Sequence, residues 1–161
     1  MIRLVFSVFL LVMFIGGCSA KKPSYITENK IYSVALQNTQ KNDVLYKSEV
    51  KAILSATYLN NVEDKYNDEN HNFLVGVFIV DKKANETLFA NSEYSLYMEC
   101  DEVTSYKKLD HNELLASYIP LKNHWAEYYI ISIKKEKQKT IMITLESKKY
   151  KDASVELPVN Y

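Results

Sequence analysis

Cys18 is the residue whose sequence position most directly indicates a chemical modification. It follows Ile15, Gly16 and Gly17 at the end of an apolar run over residues 4–15. An aliphatic residue three places before a cysteine, with two glycines between, is the spacing read by bacterial enzymes that acylate the cysteine sulfur and then cleave the chain before it. We therefore expect Cys18 to carry lipid and to be the first residue of the mature chain.

The residues before Cys18 have the size and flanks of a signal peptide. Arg3 supplies the single positive charge, and the apolar run is too short to cross a bilayer, which needs about 20 apolar residues. An ordinary secretory signal with an incidental cysteine, or a short membrane anchor, is the alternative. Residues 15–18 resemble the lipobox of bacterial lipoproteins, which implies a lipoprotein signal peptide over residues 1–17. Because Ser19 is not the aspartate that retains enteric lipoproteins in the inner membrane, the resemblance favours the outer membrane.

Charge argues against a nucleic-acid partner. The chain has 20 basic and 20 acidic residues, and Arg3 is its only arginine, so cleavage leaves 19 lysines against 20 carboxylates. A near-neutral domain lacks the basic surface that phosphate backbones require. Without arginine it also lacks the planar fork that binds phosphate or carboxylate in a bidentate manner.

Glycine and cysteine are equally scarce. Gly76 is the only glycine after residue 17, which excludes the glycine-rich loops that bind dinucleotides or nucleoside triphosphates, and we expect no cofactor. If the sulfur of Cys18 carries lipid, Cys100 has no partner for a disulfide within the chain. We interpret Cys100 as a small buried hydrophobe on the face formed by Tyr94, Leu96 and Met98, with a reactive thiol or an intermolecular crosslink as the alternatives.

Residues 18–29 are polar and predict a lipidated tether to a single domain over residues 30–161. Within that domain the dominant hydrophobic period is two, which is typical of β-strands. Tyr32, Val34 and Leu36 predict a first strand. Residues 50–58 predict a second strand, with a helix over 48–60 as the alternative.

The most apolar run of the mature chain, residues 73–80, predicts a central strand covered on both faces. Gly76 in its middle indicates close approach of a large side chain or of a neighbouring backbone. A long polar loop over 60–72 is predicted before it, and a turn over 81–86 after it. Short strands are expected over 87–89 and 94–100, whereas residues 101–121 fit either helical turns or a short strand.

The last third of the chain predicts three strands. Trp125, Tyr129, Ile131 and Ile133 share one face of a strand that ends near residue 134, and residues 135–139 predict a hairpin loop. Residues 140–146 alternate as a half-buried strand. Residues 155–159 predict a closing edge strand, because Pro158 cannot donate to a β-ladder.

These elements predict an all-β fold, an antiparallel β-sandwich of about seven or eight strands. The lipobox together with segments 56–60, 73–80 and 125–130 resembles a group of immunoglobulin-like outer-membrane lipoproteins of Campylobacter-type bacteria. The similarity covers most of the mature chain and consists of strand patterns. It implies an immunoglobulin-like fold and an outer-membrane location, with no established activity to transfer.

No catalytic or metal site is predicted. His71, His111 and His124 are far apart in sequence and are interpreted as solvated loop residues, with a zinc site assembled in space as the alternative. Oxygen-bearing side chains in one loop are interpreted as a solvated acidic loop, with a calcium site as the alternative. These are Asp64, Asn67, Asp68, Glu69 and Asn70.

Two further features concern surface chemistry. Asn85-Glu86-Thr87 matches a glycosylation acceptor but is interpreted as a turn, because Lys83 occupies the position where an acidic residue is expected. The 13 tyrosines suggest an aromatic contact surface, since tyrosine combines a rigid apolar ring with a polar tip. Tyr66 is the tyrosine that we expect to be most exposed.

Three functional classes follow from these patterns. The first is a lipid-anchored module, held in the membrane by the acyl chains on Cys18, that binds a protein or a glycan and could act in adhesion. The second is a periplasm-facing component of an envelope assembly or secretion complex. The third, an enzyme, is not expected, because none of the familiar catalytic constellations is present in the sequence.

Overall fold

The structure is a computed structural model that describes residues 30–80, 93–100, 102–110, 119–120 and 122–160. The lipobox with Cys18, the tether, the glycosylation-like sequence, the strand expected over 87–89 and His111 lie outside these residues. In the described part, no helix has the length and apolar character needed to span a membrane.

The described residues form one helix and eight strands. In chain order they are α1 (Lys30–Gln37), β1 (Thr39–Tyr46), β2 (Glu49–Tyr58), β3 (Asn70–Ile79), β4 (Tyr94–Met98), β5 (Val103–Lys108), β6 (Glu127–Lys134), β7 (Thr140–Ser147) and β8 (Ala153–Pro158). Two single 3₁₀ turns, Leu59–Asn61 and Asp64–Tyr66, lie between β2 and β3. The polar loop expected over 60–72 is therefore shorter than predicted, because β3 begins at Asn70.

The strands form two antiparallel sheets, which confirms the prediction of an all-β sandwich of seven or eight strands. One sheet has the order β1-β2-β3-β6-β5 and the other has the order β4-β7-β8. Constant-type immunoglobulin domains place strands A, B, E and D in one sheet and strands C, F and G in the other. The order β2-β3-β6-β5 and the order β4-β7-β8 match these two sheets, and β1 is an additional strand beside β2.

The main core lies between the two sheets and follows from alternation along each strand. In β7, Ile141, Ile143 and Leu145 are buried while their neighbours face outward, as their period of two predicts. A second, smaller apolar cluster covers the outer face of the five-stranded sheet. It contains Leu74 and Tyr128 from the sheet, with Ile31 of α1 packed against it.

The N-terminal element corrects one prediction. The strand predicted from Tyr32, Val34 and Leu36 is the helix α1, in which Tyr32 and Leu36 are exposed. The residues that pack are Ile31 and Ala35, spaced by four, so the relevant period is that of a helix. The side chains of Asn38 and Thr39 cap the C-terminal end of the helix. They donate hydrogen bonds to the carbonyl oxygens of Val34 (2.9 Å) and Ala35 (2.6 Å), respectively.

The edge strands of the larger sheet carry little apolar signal. Only Val44 is fully buried in β1, and all six residues of β5 are exposed. On the β1 side, the Asn42 amide donates to the carbonyl oxygen of Ser154 in β8 (2.8 Å), so the edges of the two sheets meet there. The predicted edge position of the last strand is confirmed, because β8 pairs only with β7 within the described residues.

Two predictions for the last third of the chain are wrong. Residues 135–139 do not form a hairpin loop, because β6 and β7 belong to different sheets and the loop crosses between them. Trp125 does not share a strand face with Tyr129, because β6 begins at Glu127 and the indole is 79% exposed. The alternation in β6 itself, with Tyr129, Ile131 and Ile133 buried toward the main core, is as predicted.

Candidate functional site

A groove of about 330 Å³ lies on the outer face of the five-stranded sheet, and we call it the outer-face groove. Its lining comes from α1, from β1, β2, β3 and β6, and from the segment before β6. The lining residues are Leu36, Thr39, Lys41, Ile53, Ser55, Gly76, Phe78, Pro120, Asn123, Ala126 and Tyr128. A volume near 300 Å³ is at the lower end of those that bind small ligands or the side chains of a partner.

The floor of the groove is one row of residues that run across four strands. Lys41 pairs with Ser55, Ser55 with Gly76, and Gly76 with Tyr128 in the antiparallel registers of the sheet. The small residues Ser55 and Gly76 therefore lie side by side, with Lys41 on one side of them and Tyr128 on the other. Ile53 and Phe78, which pair with each other in the next row, form an apolar shoulder beside this floor.

A large side chain lies close to Gly76, as the position of this glycine in β3 predicts. A Cβ atom at this position would lie 2.6 Å from Cε1 of Tyr128 and 2.7 Å from the hydroxyl oxygen of Ser55. The Tyr128 ring is held in place at its other end, since the backbone N–H of Asn123 donates to its hydroxyl oxygen (2.8 Å). Burial raises the pKa of Tyr128, opposed by the hydrogen bond to the Asn123 backbone.

The walls of the groove bring together distant parts of the chain. Leu36 of α1 forms one wall, and Pro120, Asn123 and Ala126 contribute from the segment that leads into β6. Trp125 precedes Ala126 in this segment, and its backbone N–H donates to the Asn123 side chain (2.9 Å), which fixes the local turn. A largely exposed tryptophan thus lies next in the chain to a wall of the groove.

The lining of the groove is mostly apolar. The lining residues include no carboxylate, histidine or cysteine, and the hydroxyl of Ser55 donates to the carbonyl oxygen of Gly76 (3.3 Å). The charged group is Lys41, whose Nζ lies 3.2 Å from Oδ1 of Asp43. That oxygen accepts no hydrogen bond from the part of the chain that the structure describes, so the two side chains interact through their charges, and Lys41 remains about half exposed. An apolar group with one or two polar contacts fits such a site.

His71 is not the solvated loop residue that was predicted. It lies in β3, is 1% exposed, and its Nδ1 is 2.9 Å from the hydroxyl of Tyr58. Its other ring nitrogen, Nε2, is buried and has no hydrogen-bond partner among the described residues. Burial lowers the pKa of His71, and the positive charge of Lys135 lowers it further. A neutral imidazole in the core is consistent with a structural role for this residue.

A polar network lies between β5 and β6 and was not predicted. The carboxylate of Glu127 is nearly buried and accepts hydrogen bonds from the hydroxyl of Tyr129 and from Nζ of Lys108 (3.0 Å). The ring of Tyr106 stacks on that of Tyr129 with their centroids 5.2 Å apart. Burial raises the pKa of Tyr106 to about 12, and it also raises the pKa of Tyr129. Both phenols therefore stay protonated at neutral pH and act as hydrogen-bond groups.

The acidic loop directs its oxygen atoms to neighbouring protein groups. Oδ1 of Asp68 accepts from the backbone N–H of Asn70 (2.8 Å) and from the side chain of Asn72 (3.0 Å), and Lys135 donates to the Asn67 side chain (3.1 Å). Among the described residues, no group of three or more His, Cys, Asp or Glu side chains is placed to hold a metal ion.

The other residues that the sequence analysis singled out do not lie together in one site. Tyr66 is partly buried against the second apolar cluster, so the prediction that it is the most exposed tyrosine is wrong. Tyr97 and Tyr46, 54% and 45% exposed, are more accessible. His124 is exposed beside Trp125. Cys100 is partly buried and packs against the main core, in agreement with its interpretation as a hydrophobe.

Comparison of the chain with protein-family models, with curated proteins and with solved structures found no match in any of the three.

The outer-face groove could be anticipated only in part from the sequence. A lone glycine in an apolar strand indicated that something large lies against it, and Tyr128 is that group. The register that brings Lys41 and Ser55 into the same row depends on pairing between strands, which no local pattern reports. The wall formed by Leu36 was missed because α1 was predicted as a strand.

Proposed function

We propose that this protein is a lipid-anchored, non-enzymatic envelope protein that binds a protein partner through the outer-face groove. The lipobox supports acylation of Cys18 and an outer-membrane location. The groove supports the binding role, and it is the single observation on which that role depends. Its apolar lining favours the side chains of a peptide segment over a glycan, which presents mainly hydroxyl groups.

Exposure of Trp125 supports the same proposal. Tryptophan and tyrosine are enriched among the residues that contribute most to protein interfaces, because each combines a large apolar area with a hydrogen-bonding group. An indole that is 79% exposed next to an apolar wall is a plausible anchor for a partner that enters the groove. Adhesion is one biological role that such a module could serve.

Site-specific photo-crosslinking tests this function. A photoreactive amino acid replaces Leu36, which is 49% exposed and lines the groove. The matched control carries it at Met142, which is 40% exposed and lies on β7 in the other sheet. Illumination of intact producing cells is expected to give a discrete protein adduct from position 36 and none from position 142. The same adduct from both positions, or none from position 36, would contradict the proposal.

A second candidate function is that of a periplasm-facing component in an envelope assembly or secretion complex. The strand β5 favours it, because β5 is at the edge of the five-stranded sheet in the described residues and an edge strand can accept a strand from another chain. The same crosslinker at Ser105 of β5 would then give an adduct with a membrane protein. Protease added to intact cells separates the orientations, since a periplasmic domain is cleaved only after permeabilisation.

A further inference from the structure

We propose that one end of the sandwich docks on an anionic lipid surface, in addition to any anchoring by acyl chains. This end, which we call the basic tip, consists of the β1–β2 turn, Val80 after β3, and the β7–β8 turn. The ring of Tyr46 in the first turn lies 5.5 Å from that of Tyr150 in the other, which shows that the two turns are neighbours. Val80 joins them because its backbone N–H donates to the carbonyl oxygen of Lys51 (2.9 Å).

The basic tip exposes apolar side chains that the core does not use. Leu45, Tyr46 and Val80 are each between 45% and 49% exposed, and Val50 is 36% exposed. Leu45 pairs directly with Val50 across the hairpin, so these two aliphatic groups lie side by side. Together with Val80 they form a local apolar surface at the end of the molecule.

Lysines surround this apolar surface. Lys51 pairs with Glu49 (2.9 Å), and Lys149 pairs with Glu93. Three other exposed lysines make no ion pair in the described part of the chain: Lys47, Lys148 and Lys151. The ammonium group of Lys47 lies over the ring of Tyr46, 5.3 Å from its centroid. With Asp152 of the β7–β8 turn included, the described residues of the tip and their ion-pair partners comprise five lysines and three carboxylates, an excess of positive charge beside the apolar surface.

The backbone of the β1–β2 turn determines where Lys47 lies. Lys47 and Ser48 have φ angles of 48° and 71°, the left-handed region that a two-residue hairpin turn requires. Lys47 is therefore at the exposed end of the hairpin, next in the chain to Tyr46.

The residue types favour lipid over protein as the occupant of the tip. Protein interfaces are depleted of lysine, and the unpaired lysines here would have to be desolvated by a partner surface. At an anionic bilayer, lysines keep their ammonium groups among the headgroups, tyrosine occupies the interfacial layer and aliphatic side chains enter the acyl boundary. Exposed lysines beside tyrosine and aliphatic side chains are thus costly to bury in a protein interface and favourable at an anionic bilayer.

Chain length permits the tip and a lipidated Cys18 to meet the same membrane. The 12 residues from 18 to 29 reach up to about 40 Å when extended, which exceeds the roughly 27 Å length of β1. The docking proposal nevertheless stands on the tip itself and does not require Cys18 to be acylated.

Tryptophan fluorescence tests the proposal with the full chain isolated from producing cells. Trp125, the only tryptophan, is replaced by Phe, and Tyr46→Trp places the reporter in the tip. The matched control is Tyr97→Trp, at an exposed position on the three-stranded sheet. In vesicles of phosphatidylcholine with phosphatidylglycerol, the reporter at position 46 is expected to emit at shorter wavelength and to be quenched by brominated lipid. The reporter at position 97 should show neither effect.

Charge variants complete the test. Replacement of Lys47, Lys148 and Lys151 by Gln should abolish the shift and the quenching at position 46, and high salt should weaken both. Vesicles of phosphatidylcholine only should give little response. Equal quenching at positions 46 and 97, or a response that ignores lipid charge, would overturn the proposal. A shift seen only in native envelope preparations, and never in vesicles, would also overturn it and would indicate a protein partner.

Discussion

Gly76 sets the depth of the outer-face groove, and it can be tested by adding one carbon atom. In Gly76→Ala, the new Cβ would lie 2.6 Å from the Tyr128 ring, which is fastened to the Asn123 backbone. The ring must therefore move toward the groove. We expect the free energy of unfolding to fall by about 1–3 kcal/mol, as for other overpacked sites. Denaturant unfolding measures this loss.

A double variant separates this clash from a general effect of alanine at the site. In Gly76→Ala/Tyr128→Leu, the smaller side chain removes the contact of the Cβ with the ring, and only the contact with the Ser55 hydroxyl remains. The double variant should therefore lose less stability than the sum of the two single variants. Strict additivity would mean that Tyr128 does not limit position 76.

His71 gives the fold a pH dependence with a definite sign. Burial and the charge of Lys135 hold its pKa below the usual value, so the unfolded chain binds this proton more tightly than the folded chain. Stability is therefore full above about pH 6.5, the value of an unperturbed histidine, and declines as pH falls from there through the folded pKa. Denaturant unfolding should show this decline in the natural chain and a shallower one in His71→Gln. The exposed His124 is the control, and a His124→Gln chain with the same shallower decline would contradict the assignment.

Single residues differ in how far the sequence predicts their environment. Gly76 was informative because one glycine inside an apolar strand has few explanations. His71 was misleading because asparagines flank it, and these resemble a loop. In the structure those asparagines are part of β3, where the side chain of Asn72 accepts from the Ser132 hydroxyl (2.6 Å). Burial of a polar residue through such pairing depends on strands that are distant in sequence.

Among the elements, the β1–β2 turn offers a prediction about strain. Ser48→Gly relieves a φ angle of 71°, although glycine also gives the unfolded chain more freedom. We expect a net gain of about 1 kcal/mol in the free energy of unfolding. Ser95→Gly, within β4, is the control and should reduce stability, since the backbone there is extended and the Ser95 hydroxyl donates to Glu146 (3.0 Å). A loss at position 48 equal to that at position 95 would show that the turn is not strained.

Elements with a buried face were predictable, and elements without one were not. The strands β2, β3, β7 and β8 bury apolar side chains that are visible in the sequence. By contrast, β5 buries none of its six residues, and its place in the sheet depends on pairing with β6. The helix α1 was misassigned because Tyr32, Val34 and Leu36 satisfy a period of two while Ile31 and Ala35 satisfy the helical period.

At the level of the whole molecule, we propose that the lipid anchor and the basic tip contact membrane lipid and that the outer-face groove contacts a protein. We expect Cys18→Ala to abolish incorporation of palmitate and the salt-resistant partition into membranes, because Cys18 is the only proposed attachment point for acyl chains. Cys100→Ala is the matched control and should retain both properties, since Cys100 packs against the main core. Continued labelling of the Cys18→Ala chain would refute acylation at that position.

The proposed binding role requires that the outer-face groove receives the partner, so filling the groove should prevent binding. Ile53→Trp adds bulk to the groove lining, whereas Met142→Trp adds it to an exposed position on the other sheet. The crosslink from position 36 is then measured in both chains, with unfolding transitions recorded to confirm that each is folded. We expect the adduct to be lost from the Ile53→Trp chain and retained in the Met142→Trp chain. Equal adduct yields from the two folded chains would contradict it.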